Sequence, residues 1–245
     1  MHTGSSRTSV QRNHALITPE SHVPLHLPGW EDAEVVVMIS EEIGAKFRQL
    51  LVTASVSARA AMGAREMERL VFVLEGEARF TVGGSKVQMT AEDYAYLPAG
   101  APVDGTLNAG CRLLVFEKRY VPVAGVALPE AFSRSLADVP GEAFLGDEGA
   151  ILQVLLPDEA AHDWGINVFE FAPGGTLPQV ESHFMEHGLL LLGGQGVYRL
   201  GESWYPVEAG DAIWMGPYEP QWYVAAGKTP SRYIYYKEMN RAPGS

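Results

Sequence analysis

The chain has 245 residues, 47% of them hydrophobic and 20% charged, with a formal net charge of −12. That length allows one large domain or two small ones, and the composition supports a core without help from disulfides or structural metals. The acidic balance excludes a nucleic-acid or anionic-membrane surface, which needs excess Lys and Arg, yet it leaves room for a small anionic substrate met by one cation in a pocket. The single cysteine, Cys111, permits no intrachain disulfide and points to a reducing compartment. The opening MHTGSSRTSVQRNHALITPE lacks the apolar run of a secretory signal. No stretch approaches the ~20 apolar residues that span a bilayer. A cytoplasmic protein with no membrane partner is expected.

In chain order, the first elements to suggest themselves are helical: Glu41–Leu50 (EEIGAKFRQL) and, further on, Leu128–Asp138 (LPEAFSRSLAD). Everything else reads as short strands punctuated by Gly, Pro and Asp. These are LVFVLEG, EARFTVGG, YAYLPAG and RLLVFEKRY, then INVFEFAPGG, LLLLGGQG, VYRLGE, AIWMGP and RYIYYKE. Runs of this length, rich in Val, Ile, Phe and Tyr, are the pattern of an all-β barrel or sandwich.

The strands repeat. Gly76 and Gly194 are 118 residues apart, as are Gly83 and Gly201, Ala91 and Ala209, Asp93 and Asp211, and Pro102 and Pro220. EGEARFTVGGSKVQMTAEDYAYLPAGAP therefore aligns without a gap onto GGQGVYRLGESWYPVEAGDAIWMGPYEP. Five identities at one offset, all at turn-forming or small residues, indicate a duplicated domain. A duplicated β-domain with an EAGD turn followed by a Pro-containing loop resembles the cupin superfamily. The resemblance implies an all-β bicupin, two tandem jelly-roll β-barrels with few short helices, each able to hold a metal in its mouth. On that basis residues 1–49 form an N-terminal arm contributing strands, 50–122 the first barrel, 123–163 a linker and 164–245 the second barrel.

Cupins supply metal ligands as His-x-His, a Glu shortly after, and a later His. The second repeat shows Glu181, His183 and His187 in the first three places, and the later position falls on Gln221. On an extended strand, residues 181 and 183 share a face, and a short turn returns His187 toward them. Two imidazoles, a carboxylate and an amide oxygen form a nitrogen–oxygen set suited to Mn²⁺, Fe²⁺, Co²⁺ or Ni²⁺, without the thiolates of structural zinc. Glu186 is left out as a solvated residue. In the first repeat the same offset gives Gly63, Arg65, Arg69 and Val103, which bind no divalent cation. That barrel is expected to have lost its metal, with Arg65 and Arg69 solvated.

The combination of ESHxxxHGLxxLxGQGxYRL, GPYxPQWY and an N-terminal ALITPExHV…LPGW resembles the (S)-ureidoglycine aminohydrolases, from about His14 to Arg241. The resemblance implies Mn²⁺ on Glu181, His183, His187 and Gln221, and hydrolysis of (S)-ureidoglycine to (S)-ureidoglycolate and ammonia in purine and allantoin breakdown. It places Tyr198, Tyr233, Lys237 and Gln221 against the substrate. Lys237 and Tyr233 share a strand face, with Tyr235 between them in phase; Lys237 can pair with a carboxylate, and Phe184, Leu190, Trp214 and Trp222 are candidates for the apolar wall. Glu181 is the expected proton carrier and, with Lys237, the catalytic pair; Glu170 on a neighbouring strand is the weaker candidate. Two alternatives stay open. One is another metal-dependent cupin enzyme, a dioxygenase or isomerase, which usually depends on three His and would consume oxygen in the first case. The other is a non-catalytic small-molecule binder. Bicupins pack sheet edges across subunits, so a homo-oligomer is expected.

Overall fold

The computed structural model describes residues 6–63 and 65–241. Among them the regular elements are β-strands, apart from three single 3-10 turns at Pro19–Ser21, Glu41–Ile43 and Leu136–Asp138. No helix of the described residues is long and apolar enough to cross a membrane.

Both expected helices are therefore overturned. The first stops after Glu41–Ile43 because Gly44 takes φ +102°, a left-handed value that ends the turn, and Arg48–Ala54 continues as a strand. In the second, Phe132–Ser135 pairs with Asp93–Leu97. Phe132 packs edge-on against Tyr94 with ring centroids 6.2 Å apart, so aromatic contact across strands wins over local helix propensity.

The chain folds as two compact units. The first comprises Val23–Glu42 and Lys46–Asp138; the second comprises Met1–His22, Ile43–Ala45 and Val139–Ser245. In the first, a six-stranded sheet faces a five-stranded one. Their order is 132–135, 93–97, 67–75, 111–119, 48–54, 34–39 against 30–31, 58–62, 103–107, 77–82, 85–90. Val52, Val71, Val73, Leu113 and Val115 meet Ala78, Phe80 and Leu107 between the sheets. In the second unit an eight-stranded sheet faces a three-stranded one. The order is 9–10, 14–17, 212–215, 187–193, 231–238, 164–171, 147–154, 141–144 against 203–208, 195–200, 221–225. Its core is aromatic: Phe169, Phe171, Tyr198, Tyr223, Tyr233 and Tyr235 pack with Leu189, Leu191 and Ile213. Each unit is jelly-roll-like, a sandwich of two facing sheets and not a closed barrel.

The repeat is physical as well as textual. Gly76 and Gly194 take φ +76° and +74°, and Gly83 and Gly201 take +56° and +58°. A Cβ at Gly194 would sit 2.5 Å from the Pro230 carbonyl oxygen, so only glycine passes there. Strand register carries the comparison to the site. His187 lies opposite Met215 on one side and Lys237 on the other; Arg69 lies opposite Leu97 and Glu117. The first unit is thus two residues shorter between its strands 103–107 and 111–119, and by register Glu117 is the counterpart of Lys237.

Arg65 is exposed, as expected, but Arg69 is not. It is 4% exposed and donates from Nε to Glu117 Oε2 at 3.0 Å. Its place in phase with Val71 and Val73 turns it inward, and an inward guanidinium persists only with a partner. In the first unit an ion pair stands where the second unit has His187 and Lys237. Replacing Arg69 by Met is expected to cost about 3–5 kcal/mol by leaving Glu117 buried with a weakened partner set. The double change Arg69→Met, Glu117→Leu is expected to recover most of it. Urea unfolding midpoints of the three proteins measure this.

Candidate metal centre and substrate cavity

The ligand segment is a loop more than a strand. Only Glu181 makes a β-bridge, with Gln221, and regular pairing resumes at His187. The expectation that residues 181 and 183 share one strand face is replaced by a bracing of main chain. Glu181 and Gln221 exchange N–H···O bonds of 2.8 and 2.9 Å, and Tyr218 N donates to His183 O at 2.7 Å. Backbone pairing across 40 residues thus brings Glu181 to Gln221, while the chain bends at Phe184 between His183 and His187.

The side chains converge. His183 Nδ1 lies 3.1 Å from the Met185 carbonyl, which can only accept, so Nδ1 carries the proton and Nε2 holds the lone pair. That Nε2 faces His187 Nε2 at 3.2 Å. The two rings lie 4.8 Å apart, and Tyr235 stacks on the far side of His187 at 5.6 Å with the planes 10° apart. Glu181 Oε2 stands 3.9 Å from His183 Nε2. Gln221 Nε2 donates to Glu181 Oε2 at 3.4 Å, and Tyr198 donates to Gln221 Oε1 at 2.7 Å. The amide nitrogen, not its oxygen, therefore faces the carboxylate. Rotating the amide by half a turn exchanges them, because the Tyr198 hydroxyl accepts as readily as it donates.

Electrostatics follow from depth. Burial holds the His187 imidazole well below its ordinary pKa, with His183 and Lys237 adding to it. Burial likewise lowers His183, and Lys237 reinforces that. Both imidazoles are thereby kept neutral, the form that ligates a cation. Burial raises the Glu181 carboxyl against the opposing pull of Lys237, and lowers Lys237 against the pull of Glu181. Burial also raises the Tyr198 and Tyr233 hydroxyls well above their usual range. Among the described residues no three His, Cys, Asp or Glu groups close on one point as the side chains stand, since Glu181 hangs back from the imidazole pair. Two facing imidazole nitrogens, with His187 Nε2 donating to His183 Nε2, and an adjacent desolvated carboxylate fit a divalent ion of nitrogen–oxygen preference once that shared proton is displaced.

A cavity of about 40 Å³ opens beside these groups. It is lined by Glu181, His187, Gln221, Tyr198, Tyr233, Tyr235 and Lys237, with Phe144, Phe169, Leu177 and Leu189 as the apolar wall. All the polar candidates except His183 border it. The apolar candidates do not. Leu190 and Trp214 occupy the opposite sheet face, out of phase with His187 and Met215, and Trp222 is half-buried with Nε1 donating to the Leu177 carbonyl at 2.7 Å. Glu186 is not solvated but fully buried on that opposite face, where Trp214 Nε1 donates to it at 3.3 Å. Glu170 points outward and pairs with Arg232 at 3.4 Å. Sequence reasoning missed Asn167, which is 6% exposed and hydrogen-bonds the Tyr235 hydroxyl. The signal was present: Asn167 is a polar residue in phase with Phe169 and Phe171 on an otherwise apolar strand face.

The cupin-domain family profile matches residues 57–116 and 167–236, one match in each unit. The (S)-ureidoglycine aminohydrolase of Arabidopsis thaliana is 40% identical over 98% of this chain and 80% of its own length. That of Escherichia coli is 32% identical over 94% of this chain and 89% of its own. This chain belongs to the (S)-ureidoglycine aminohydrolase family of bicupins. The crystal structure of protein Ylba from E. coli superposes with a TM-score of 0.87 at 30% identity, covering 98% of this chain and 97% of that one. An oxalate decarboxylase variant of Bacillus subtilis, at 10% identity and a TM-score of 0.71 over 93% of this chain and 78% of that one, has the same fold.

Tyr198 joins two strands of the three-stranded sheet by donating to Gln221, and Tyr198→Phe leaves the amide with an unmet buried partner. The change is expected to destabilise the protein by roughly 1–3 kcal/mol. Chemical denaturation of the variant beside the parent checks this.

Proposed function

We propose that the second unit holds a divalent transition metal, Mn²⁺ by preference, on Glu181, His183, His187 and Gln221, and hydrolyses (S)-ureidoglycine to (S)-ureidoglycolate and ammonia in purine and allantoin breakdown. The observation that carries the reading is the facing pair His183 Nε2 and His187 Nε2, 3.2 Å apart, beside a cavity that also contains Glu181 and Lys237. It stands in a chain 40% identical to an enzyme of that name. The metal, when bound, supplies Lewis acidity toward water and substrate.

The residues divide the remaining work. The substrate carries a carboxylate, an amine and a ureido group on one carbon. Among the described residues that line the cavity, Lys237 alone offers an ammonium, and it pairs with the carboxylate. Tyr233 and Tyr198, kept protonated by burial, offer O–H groups to the ureido or carboxylate oxygens. Hydrolysis forms a carbon–oxygen bond and breaks the carbon–nitrogen bond to the amine, so the departing nitrogen needs a proton. Glu181 is suited to carry it, because burial brings its pKa upward toward the working range. The small cavity, and a candidate ligand set of two histidines with Glu181 and Gln221 where oxygen-using cupins rely on three histidines, favour a compact hydrolytic substrate over a phenolic one and oxygen. The substrate partner is thus a small nitrogenous acid.

The test is ammonia release from freshly generated (S)-ureidoglycine. Activity is expected to vanish on chelation and return with Mn²⁺. His187→Ala is expected to abolish both metal content and turnover. Glu181→Gln should lower kcat by about 10²-fold or more. Near-normal release by a metal-loaded Glu181→Gln protein would remove Glu181 from proton transfer. Lys237→Met should raise KM more than it lowers kcat, as expected for a carboxylate anchor.

A further inference from the structure

The stretch ALITPE near the N-terminus lies outside the ligand set and the cavity, yet it reaches the same loop. The strand His14–Ile17 lengthens the eight-stranded sheet beside Ala212–Met215, with His14 opposite Met215. His14 is 6% exposed, and both ring nitrogens are engaged: Nδ1 with Glu219 Oε1 at 2.7 Å and Nε2 with the Tyr205 hydroxyl at 2.9 Å. The Glu219 side chain is itself only 10% exposed.

Glu219 sits in the turn that runs from Met215 into Gln221, and the turn is stitched on both sides. Gly216 N donates to Asn13 O at 2.7 Å on the N-terminal side. On the ligand side Tyr218 N donates to His183 O at 2.7 Å, and Ser182 Oγ donates to Tyr218 O at 3.0 Å. Tyr218 holds φ +63°, a left-handed value that costs a non-glycine residue about 1–2 kcal/mol and persists only where the surroundings enforce it. That conformation aims its N–H at His183.

Two further observations single out the carboxylate. Gly201, at φ +58°, receives the turn by donating its N–H to Pro220 O at 2.8 Å, and a Cβ there would lie 2.5 Å from Glu219 Oε1. Glu219 Oε1 thus occupies the space above Gly201 that a side chain there would enter. The first unit supplies a comparison. Gly100 N donates to Arg65 O at 2.7 Å, reproducing the brace of Tyr218 on His183, but Gly100 replaces Tyr218 and Ala101 replaces Glu219. The turn is common to both units; the carboxylate anchor occurs only where the turn supports the imidazole pair.

We propose that His14 and Glu219 are positioning residues: His14, fixed by Tyr205, grips Glu219 and so locks the turn that sets where His183, Glu181 and Gln221 stand. The consequence for metal binding rests on the function proposed above; the locking itself does not. Full-length wild type, Glu219→Ala, Glu219→Gln and His14→Leu are compared by amide hydrogen exchange and by Mn²⁺ titration calorimetry. In Glu219→Ala and His14→Leu the amides of Glu181, Tyr218 and Gln221 are expected to exchange about tenfold faster, while Ile234 in the core is unchanged. Mn²⁺ affinity is expected to fall about tenfold in the same variants. Glu219→Gln, whose amide oxygen still accepts from His14, is expected to restore both. Wild-type exchange at the three amides in Glu219→Ala overturns the proposal, as does uniform loosening that includes Ile234. A wild type that takes up no Mn²⁺ overturns the metal reading instead, and the exchange rates then decide this one alone.

Discussion

Two imidazoles, a carboxylate and an ammonium lie together at one end of an aromatic sandwich, where each alone would be costly to bury. Their arrangement depends on a single strand phase. His187, Leu189 and Leu191 alternate inward, and Lys237 falls opposite His187 because Tyr233 and Tyr235 share its face. A one-residue slip would exchange them for Glu186, Leu190 and Tyr236. The mutual influence of the buried groups follows from that register. Burial lowers both histidines and Lys237 while raising Glu181, so every group is moved toward its neutral form. A bound cation would reverse this for Glu181 and consume the imidazole lone pairs.

The two units show what one scaffold does with and without that demand. Their glycine turns, strand order through the repeat and buttressing of the loop by a backbone N–H all match. Where the second unit has His187 facing Lys237, the first has Arg69 bonded to Glu117. An inward charged position was retained in both, and in the first it is neutralised within the chain. The first unit therefore has at this position not ordinary apolar core but an ion pair closed within the chain.

Much of the site could be read from spacing. The repeat located Gln221 relative to Glu181 through turn residues that have nothing to do with chemistry, and alternation placed Tyr233 and Lys237 on one face. Other readings failed for identifiable reasons. Arg69 and Glu186 look solvated when judged by residue type, yet both are buried: Arg69 is in phase with Val71 and Val73 and pairs with Glu117, and Glu186 accepts from Trp214 Nε1. Phe184, Leu190, Trp214 and Trp222 are apolar and close in sequence to the ligands, but phase or loop geometry keeps them from the cavity. Phe144, Phe169 and Leu177 line it from strands and loops that no local pattern connects to His187. Glu41–Leu50 and Leu128–Asp138 lost their helical reading to a left-handed glycine and to cross-strand aromatic packing.

The sequence alone determined the architecture, because duplication, strand alternation and turn glycines are local properties written in residue order, and it named Glu181, His183, His187 and Gln221 as candidates. The tertiary structure decided how those donors meet. The 3.2 Å approach of two Nε2 atoms, the stack of Tyr235 on His187, the Arg69–Glu117 pair and the grip of His14 on Glu219 all join residues from separate strands. Such contacts depend on register and on the depth to which a side chain is carried from water, and neither is encoded in any short stretch of chain.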